Sequence, residues 1–220
     1  MNKNEENFNQ IIKVENLLEY NKNLEIHDNT FNKLMYIYSL GLRQLENSIN
    51  NIKDEYDILY EYNLIESSIA RIKKPESIIK KMNNRKLDLT YKNMINNIND
   101  IAGIRIICPL EKDVYSVRNI LKKMDGINII KEKDYIKNPK KSGYSSYHII
   151  AEINLRLSEK NTYIKVEIQI RTLAMDYWAS MEHKMVYKKN GQIDKKQQSK
   201  WKECAKLISK LDNAMMKINN

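Results

Sequence analysis

Cysteine is nearly absent from the chain. Cys108 and Cys204 are the only two, far apart and without metal-ligand spacing, so neither a disulfide framework nor a zinc site is indicated. Long apolar runs are missing too: the run from Ile101 to Leu110 is broken by Arg105, and nothing approaches the ~20 residues of a membrane span. The opening MNKNEENFNQ lacks the apolar core of a signal peptide. Together these absences predict a cytoplasmic protein. Glycine (5), proline (3) and histidine (3) are few in 220 residues, and no repeat or low-complexity tract occurs, so any place where they gather stands out.

What is present is an ordinary 42% hydrophobic content, enough for one well-cored domain with helical extensions. Lys and Arg outnumber Asp and Glu by 38 to 28, a net charge of +10 that favours phosphate-bearing partners without separating nucleic acid, anionic membrane and nucleotide. Abundant Lys, Asn and Ile also suggest an AT-rich coding genome, so the global charge carries little weight.

Residues 1–27 are polar with scattered apolar positions and read as a helical or frayed extension. From Phe31, the apolar positions Leu34, Tyr38, Leu42, Leu45, Ile49 and Ile52 recur at three- and four-residue steps, as one buried helix face requires, with Asp28 or Thr30 as its cap. Between Glu61 and Met82 the expectation is a loop feeding a basic helix that starts at Pro75. The period then changes. Strands are expected over 101–108, 127–136, 146–157 and 162–171, and helices over 113–124, 173–187 and 195–218. This αα-βα-βββ-αα order predicts an α+β fold with a mixed, mainly antiparallel sheet flanked by helices and a C-terminal helical extension. The expected division is an extension over 1–27, a catalytic domain over 28–188 and a C-terminal helix over 189–220.

Three stretches carry chemistry. In the segment 163–171, Ile164, Val166, Ile168 and Ile170 fall on one strand face and Lys165, Glu167, Gln169 and Arg171 on the other. A solvent-facing sheet surface gives the same alternation, so the strand alone decides nothing. Asp100 stands just before a strand that also bears Arg105, although such an acid is more often a turn residue than a metal ligand. The third stretch, DYIKNPKKSGYSSYH, gathers three lysines, three tyrosines, three serines, a glycine, a proline and a histidine. Lys137, Lys140 and Lys141 offer point charges for phosphate, Ser142-Gly143 allows close backbone approach, and Tyr144 offers a flat face for a base. A further basic cluster of Arg71, Lys73, Lys80, Lys81 and Arg85 is expected on the earlier helical element, with Ser77 and Lys81 on one helix face. Two basic clusters flanking two carboxylates suggest a meeting place for two polyphosphates around a divalent cation.

The strings ARIKKPESIIKKM, DIAGIRIIC, DYIKNPKKSGYSSYH and VEIQIRTLAMDYWASMEHKMVYK together resemble the synthetase domain of the RelA/SpoT family, and more narrowly its stand-alone small alarmone synthetases. The resemblance runs from about Asn32 to Leu211. It implies a nucleotidyltransferase-like synthetase fold and a GTP diphosphokinase of the stringent response. The implied reaction is Mg²⁺-dependent transfer of the β,γ-pyrophosphate of ATP to the ribose 3′-hydroxyl of GDP or GTP, with GMP a further acceptor to test. By the same resemblance Arg71, Lys73, Ser77, Lys81 and Arg105 hold ATP, and Asp100 binds the metal. Glu167 shares that metal or takes the hydroxyl proton, which leaves Asp100, Glu167 and Arg105 as the catalytic set. Lys133, Lys140, Tyr144, His148, Gln169 and Arg171 serve the guanine nucleotide. Glu182-His183 matches the family's EH pair as supporting structure, and Ala70 stands where many relatives carry Gly. His27-Asp28 alone does not make a hydrolase cluster, so synthesis without hydrolysis is expected. The resemblance further implies a homotetramer built on terminal helices, which a Leu207, Leu211 and Met215 stripe permits. A basic RNA-binding protein and a non-catalytic guanine-nucleotide sensor are the competing readings, and RNA binding is also compatible with catalysis.

Overall fold

The computed structural model describes residues 29–158, 161–188 and 194–218. The extension over 1–27, with His27 and the candidate cap Asp28, lies outside them. A long first helix, α1 (Asn29–Leu59), lays Phe31, Leu34, Tyr38, Leu42, Leu45, Ile49 and Ile52 on the core, the face its periodicity predicts. Leu34 is fully buried, so Leu34→Ala would cost about 2–5 kcal/mol. Gly41 lets the helix come down onto the sheet: a Cβ there would run into the Ile164 side chain.

Among the described residues five strands form one sheet: β1 (Ser67–Ile72), β2 (Ala102–Cys108), β3 (Ile127–Asp134), β4 (Tyr147–Arg156) and β5 (Asn161–Thr172), in the order β1-β2-β5-β4-β3. Only the β2–β5 pairing is parallel; the other three are antiparallel. The mixed, mainly antiparallel α+β architecture therefore holds. Helices α2 (Pro75–Asn84), α3 (Tyr91–Asn97) and α4 (Glu111–Lys123) fall between the first three strands. α5 (Leu173–Lys188) follows β5 directly, and α6 (Lys195–Ile218) packs on α5 and α4. Among the described residues no helix is long and apolar enough to cross a membrane.

Two elements depart from the sequence reading. Residues 67–72 form an edge strand rather than a loop, and the short helix α3 was not anticipated. The basic cluster is therefore not on one helical element: Arg71 belongs to β1 and Lys73 to the link that follows, while Lys80 and Lys81 lie on α2. Ala70 pairs with Ile104 inside the strand, and its φ is not positive, so the position does not call for glycine.

One sheet face is apolar and buried, with Ile104, Ile106, Ile149, Ala151, Val166, Ile168 and Ile170 each nearly inaccessible. On β5 the period of two then turns Glu167, Gln169 and Arg171 to the opposite face. Strand register aligns residues there in rows: Arg71 beside Gly103 beside Glu167, and Arg105 beside Gln169 beside His148 beside Lys133. This second face is the platform for the site.

Candidate active site

A small cleft of about 130 Å³ opens on that face, lined by Ile69, Arg71, Asp100, Gly103, Ile104, Arg105, Glu167 and Gln169. The two carboxylates singled out from sequence thus share one cavity. Gly103 lies between Arg71 and Glu167 in the register, so no side chain fills the floor between them. A cavity of about 650 Å³ flanks the tyrosine-rich loop where α6 and Trp178 meet it, but neither Asp100 nor Glu167 lines it. The smaller cleft holds both acids.

Asp100 ends the turn before β2. Its Oδ2 accepts from Lys81 Nζ at 2.7 Å and from Lys73 Nζ at 2.9 Å, while its buried Oδ1 has no partner among the described residues. Burial would raise this carboxyl, but the two ammonium groups outweigh it and hold Asp100 below the usual carboxylate range. Glu167 behaves alike. Burial pushes it up, while His148 and Gln169 pull it lower still, against a smaller repulsion from Asp100. Ser77 is exposed in the first turn of α2, one turn before Lys81.

On the other side of Glu167 a ring of contacts closes on itself. Gln169 Nε2 donates to Glu167 Oε2 at 2.8 Å, and Arg171 Nη2 donates to Gln169 Oε1 at 2.8 Å and to the Tyr144 hydroxyl at 2.6 Å. Tyr144 OH lies 2.7 Å from His148 Nε2, and His148 Nδ1 lies 3.6 Å from Glu167 Oε1. The Tyr144 hydroxyl, which accepts from Arg171, thus joins that guanidinium to one imidazole nitrogen, while the other nitrogen faces the Glu167 carboxylate. His148 is thus engaged on both nitrogens within the site rather than presented to solvent. Arg171 is nearly buried and also donates to Ser146 Oγ at 3.3 Å.

The remaining candidates lie at the rim. Lys133 is exposed beside His148, and the Lys140 ammonium sits 4.6 Å from the Tyr144 ring centre and 4.8 Å from that of Tyr135. Lys140 therefore covers a ring face in this conformation instead of standing free for phosphate. Lys137 lies 4.0 Å from Asp134. Glu182 and His183 are on α5, and neither lines the cleft. Asp176, in the first turn of α5, went unnoticed in the sequence. Its Oδ1 meets both Arg171 Nη1 at 3.0 Å and Arg105 Nη1 at 3.3 Å.

Residues 70–192 match the family described as the region found in RelA / SpoT proteins. The chain is 42% identical over 184 residues to the GTP pyrophosphokinase YwaC of Bacillus subtilis (strain 168), covering 84% of this chain and 88% of that protein. The chain belongs to the RelA/SpoT family. Within it, the GTP pyrophosphokinase YjbM of the same organism is 31% identical over 191 residues, covering 87% and 89% of the two chains. The crystal structure of small alarmone synthetase 1 from Bacillus subtilis, bound to its product pppGpp, superposes with a TM-score of 0.81 at 30% identity, covering 87% of this RelA/SpoT chain and 97% of that one.

Proposed function

We propose that this RelA/SpoT-family chain is a GTP/GDP pyrophosphokinase that makes (p)ppGpp and AMP from ATP and a guanine nucleotide. The observation that carries the reading is the shared cleft: Asp100 and Glu167 line it together with Arg71 and Arg105, while Lys73 and Lys81 close on Asp100 from one side. Four cations then face two carboxylates, the excess that a triphosphate needs. Two like charges about 4 Å apart repel by roughly 4 kcal/mol at an effective dielectric near 20, and two nucleotides bring several such pairs.

The residues fit a divalent cation, and Mg²⁺ is the ion we assign. Asp100 keeps a buried oxygen without a partner and Glu167 feels its negative charge, so a cation held by both acids would relieve both. When bound, such an ion neutralises phosphate charge at the reacting group. Among the described residues no three His, Cys, Asp or Glu side chains cluster for a metal, so phosphates and water would complete its shell.

On the donor side, Arg71, Lys73, Ser77, Lys81 and Arg105 hold ATP. Incoming phosphates compete with Asp100 for Lys73 and Lys81, and Ser77 sits at a helix start, where anions are favoured. On the acceptor side Tyr144, His148, Gln169, Arg171, Lys133 and Lys140 hold the guanine nucleotide, and Lys140 leaves the Tyr144 ring as the base arrives. The ribose 3′-oxygen attacks the β-phosphorus of ATP, and the bond from that phosphorus to the α–β bridging oxygen breaks. AMP departs with the electron pair. The hydroxyl proton passes to the Glu167 carboxylate, and a loose transition state tolerates a base as weak as a depressed carboxylate.

The catalytic unit in this reading spans 28–188. The 189–220 segment supplies α6, on which Leu207, Leu211, Met215 and Ile218 are exposed as an apolar stripe for a homo-oligomer, a tetramer by resemblance. A cytoplasmic location goes with its nucleotide substrates. The test is direct: with Mg²⁺, ATP and GTP or GDP, the purified protein yields AMP and a 3′-pyrophosphorylated guanine nucleotide. AMP without an acceptor, or no product, defeats the reading.

A further inference from the structure

We propose that Asp176 is a positioning residue that sets Arg105, on the donor side of the cleft, against Arg171 on the acceptor side. The inference rests on the pyrophosphokinase reading of the site and goes beyond the residues that reading uses. Arg105 on β2 pairs with Gln169 on β5, so Arg171, two residues further along β5, is its diagonal neighbour on the same face. Two guanidinium groups so placed repel. Asp176 Oδ1 touches both, Arg171 Nη1 at 3.0 Å and Arg105 Nη1 at 3.3 Å. One carboxylate oxygen thus bridges a charge pair that would otherwise spread apart.

The two arginines are not held equally. Arg171 is 5% exposed and also reaches Ser146, Tyr144 and Gln169, so it has one position. Arg105 is 28% exposed, and among the described residues its buried Nε has no partner and Asp176 is the carboxylate it meets. Burial, Arg171 and Arg71 all disfavour its charge, and Asp176 opposes them. Asp176 itself is anchored. The Thr172 hydroxyl accepts from Met175 N at 3.1 Å, capping the start of α5, and donates to Asp212 on α6 at 2.8 Å. An acid on a capped helix start therefore fixes Arg105 against an immobile Arg171. A single 3.3 Å contact still lets the guanidinium turn to a triphosphate. Without the acid, Arg105 swings away from Arg171 and must be reordered each time ATP binds.

Steady-state kinetics on the full chain test this, with ATP and the guanine nucleotide varied in turn. Asp176→Asn keeps the shape and removes the charge; KM for ATP should rise about tenfold, KM for the guanine nucleotide should stay within about threefold, and the melting temperature should hold. Asp176→Glu, which retains the charge, should recover most of the loss, and Asp176→Ser should reproduce the effect of Asp176→Asn. In an Arg105→Ala background the Asp176→Asn change should add less than about threefold, because its target is gone. A purely structural role predicts lower stability and losses that multiply with Arg105→Ala. Unchanged KM for ATP in Asp176→Asn, or multiplying effects, overturns the proposal. Wild-type turnover in the same assay separates this failure from a failure of the functional reading.

Discussion

Gly143 rests on Ala205. A Cβ built at the glycine would lie 2.6 Å from the alanine Cβ, and the glycine holds φ at +99°, a conformation that side chains resist. The tyrosine-rich loop, proposed to hold the acceptor nucleotide, is thus seated on the C-terminal helix of its own chain, where the Trp201 carbonyl also accepts from Trp178 Nε1 at 3.1 Å. Ala205→Leu should push the loop off its seat, raising KM for the guanine nucleotide about tenfold while KM for ATP stays near wild type. Equal effects on both substrates would show that the helix braces the whole domain instead.

Asp100 joins two lysines to one oxygen and leaves the other bare, which makes its removal informative in two directions. Asp100→Asn should lower kcat about a thousandfold through loss of the proposed cation ligand. It also frees Lys73 and Lys81 for phosphate, so metal-free binding of an ATP analogue should match or exceed wild type. Calorimetric titration reads the second effect. Weaker metal-free binding would mean that Asp100 shapes the donor pocket rather than loads it.

The Tyr144 hydroxyl links Arg171 to His148, and through His148 to Glu167, while its ring is the surface proposed for the base. Tyr144→Phe separates these roles. KM for the guanine nucleotide should change by less than about threefold, and kcat should fall roughly tenfold as His148 and Glu167 lose their orientation. Tyr144→Ala should raise KM as well. A phenylalanine variant with full kcat would confine Tyr144 to stacking.

How much of this was legible beforehand follows from how local each signal is. The alternation along β5 is written in nine consecutive residues, so the face bearing Glu167, Gln169 and Arg171 could be read directly. β1 was missed because Ser67, Ser68 and Ala70 lack β-branched side chains, and its one strongly apolar outward residue, Ile69, is 54% exposed on the cleft face. With β1 unseen, Arg71 and Lys81 read as one helical cluster, when Arg71 lines the cleft from a strand and Lys81 reaches Asp100 from a helix. Asp176 went unnoticed because an acid in a helix first turn is common there, being favourable to the dipole, and carries no other local mark. Its bridge depends on the parallel β2–β5 register, which no local pattern encodes. The Gly143–Ala205 seat joins positions 62 residues apart and was equally hidden.

The pH dependence of stability offers a last check on how α6 is docked. Asp212 is 5% exposed, accepts from the Thr172 hydroxyl, and has its carboxyl raised by burial, which that hydrogen bond only partly offsets. Glu111 nearby is raised as well, by burial and then by Asp212. A carboxyl whose folded pKa exceeds its unfolded value of about 4 contributes fully below that pH and loses its contribution as pH climbs through the folded value. Wild-type stability should therefore give ground at this position as pH rises above about 4. Asp212→Asn keeps an acceptor for Thr172 and removes the buried charge, so it should melt about 2–4 °C above wild type at pH 7, worth about 1 kcal/mol. The gap should shrink as pH falls toward 4, because wild type then carries a neutral carboxyl in the same place. Calorimetric melting curves across that range measure it, and a gap of constant size or opposite sign would mean that Asp212 is charged and satisfied where it stands.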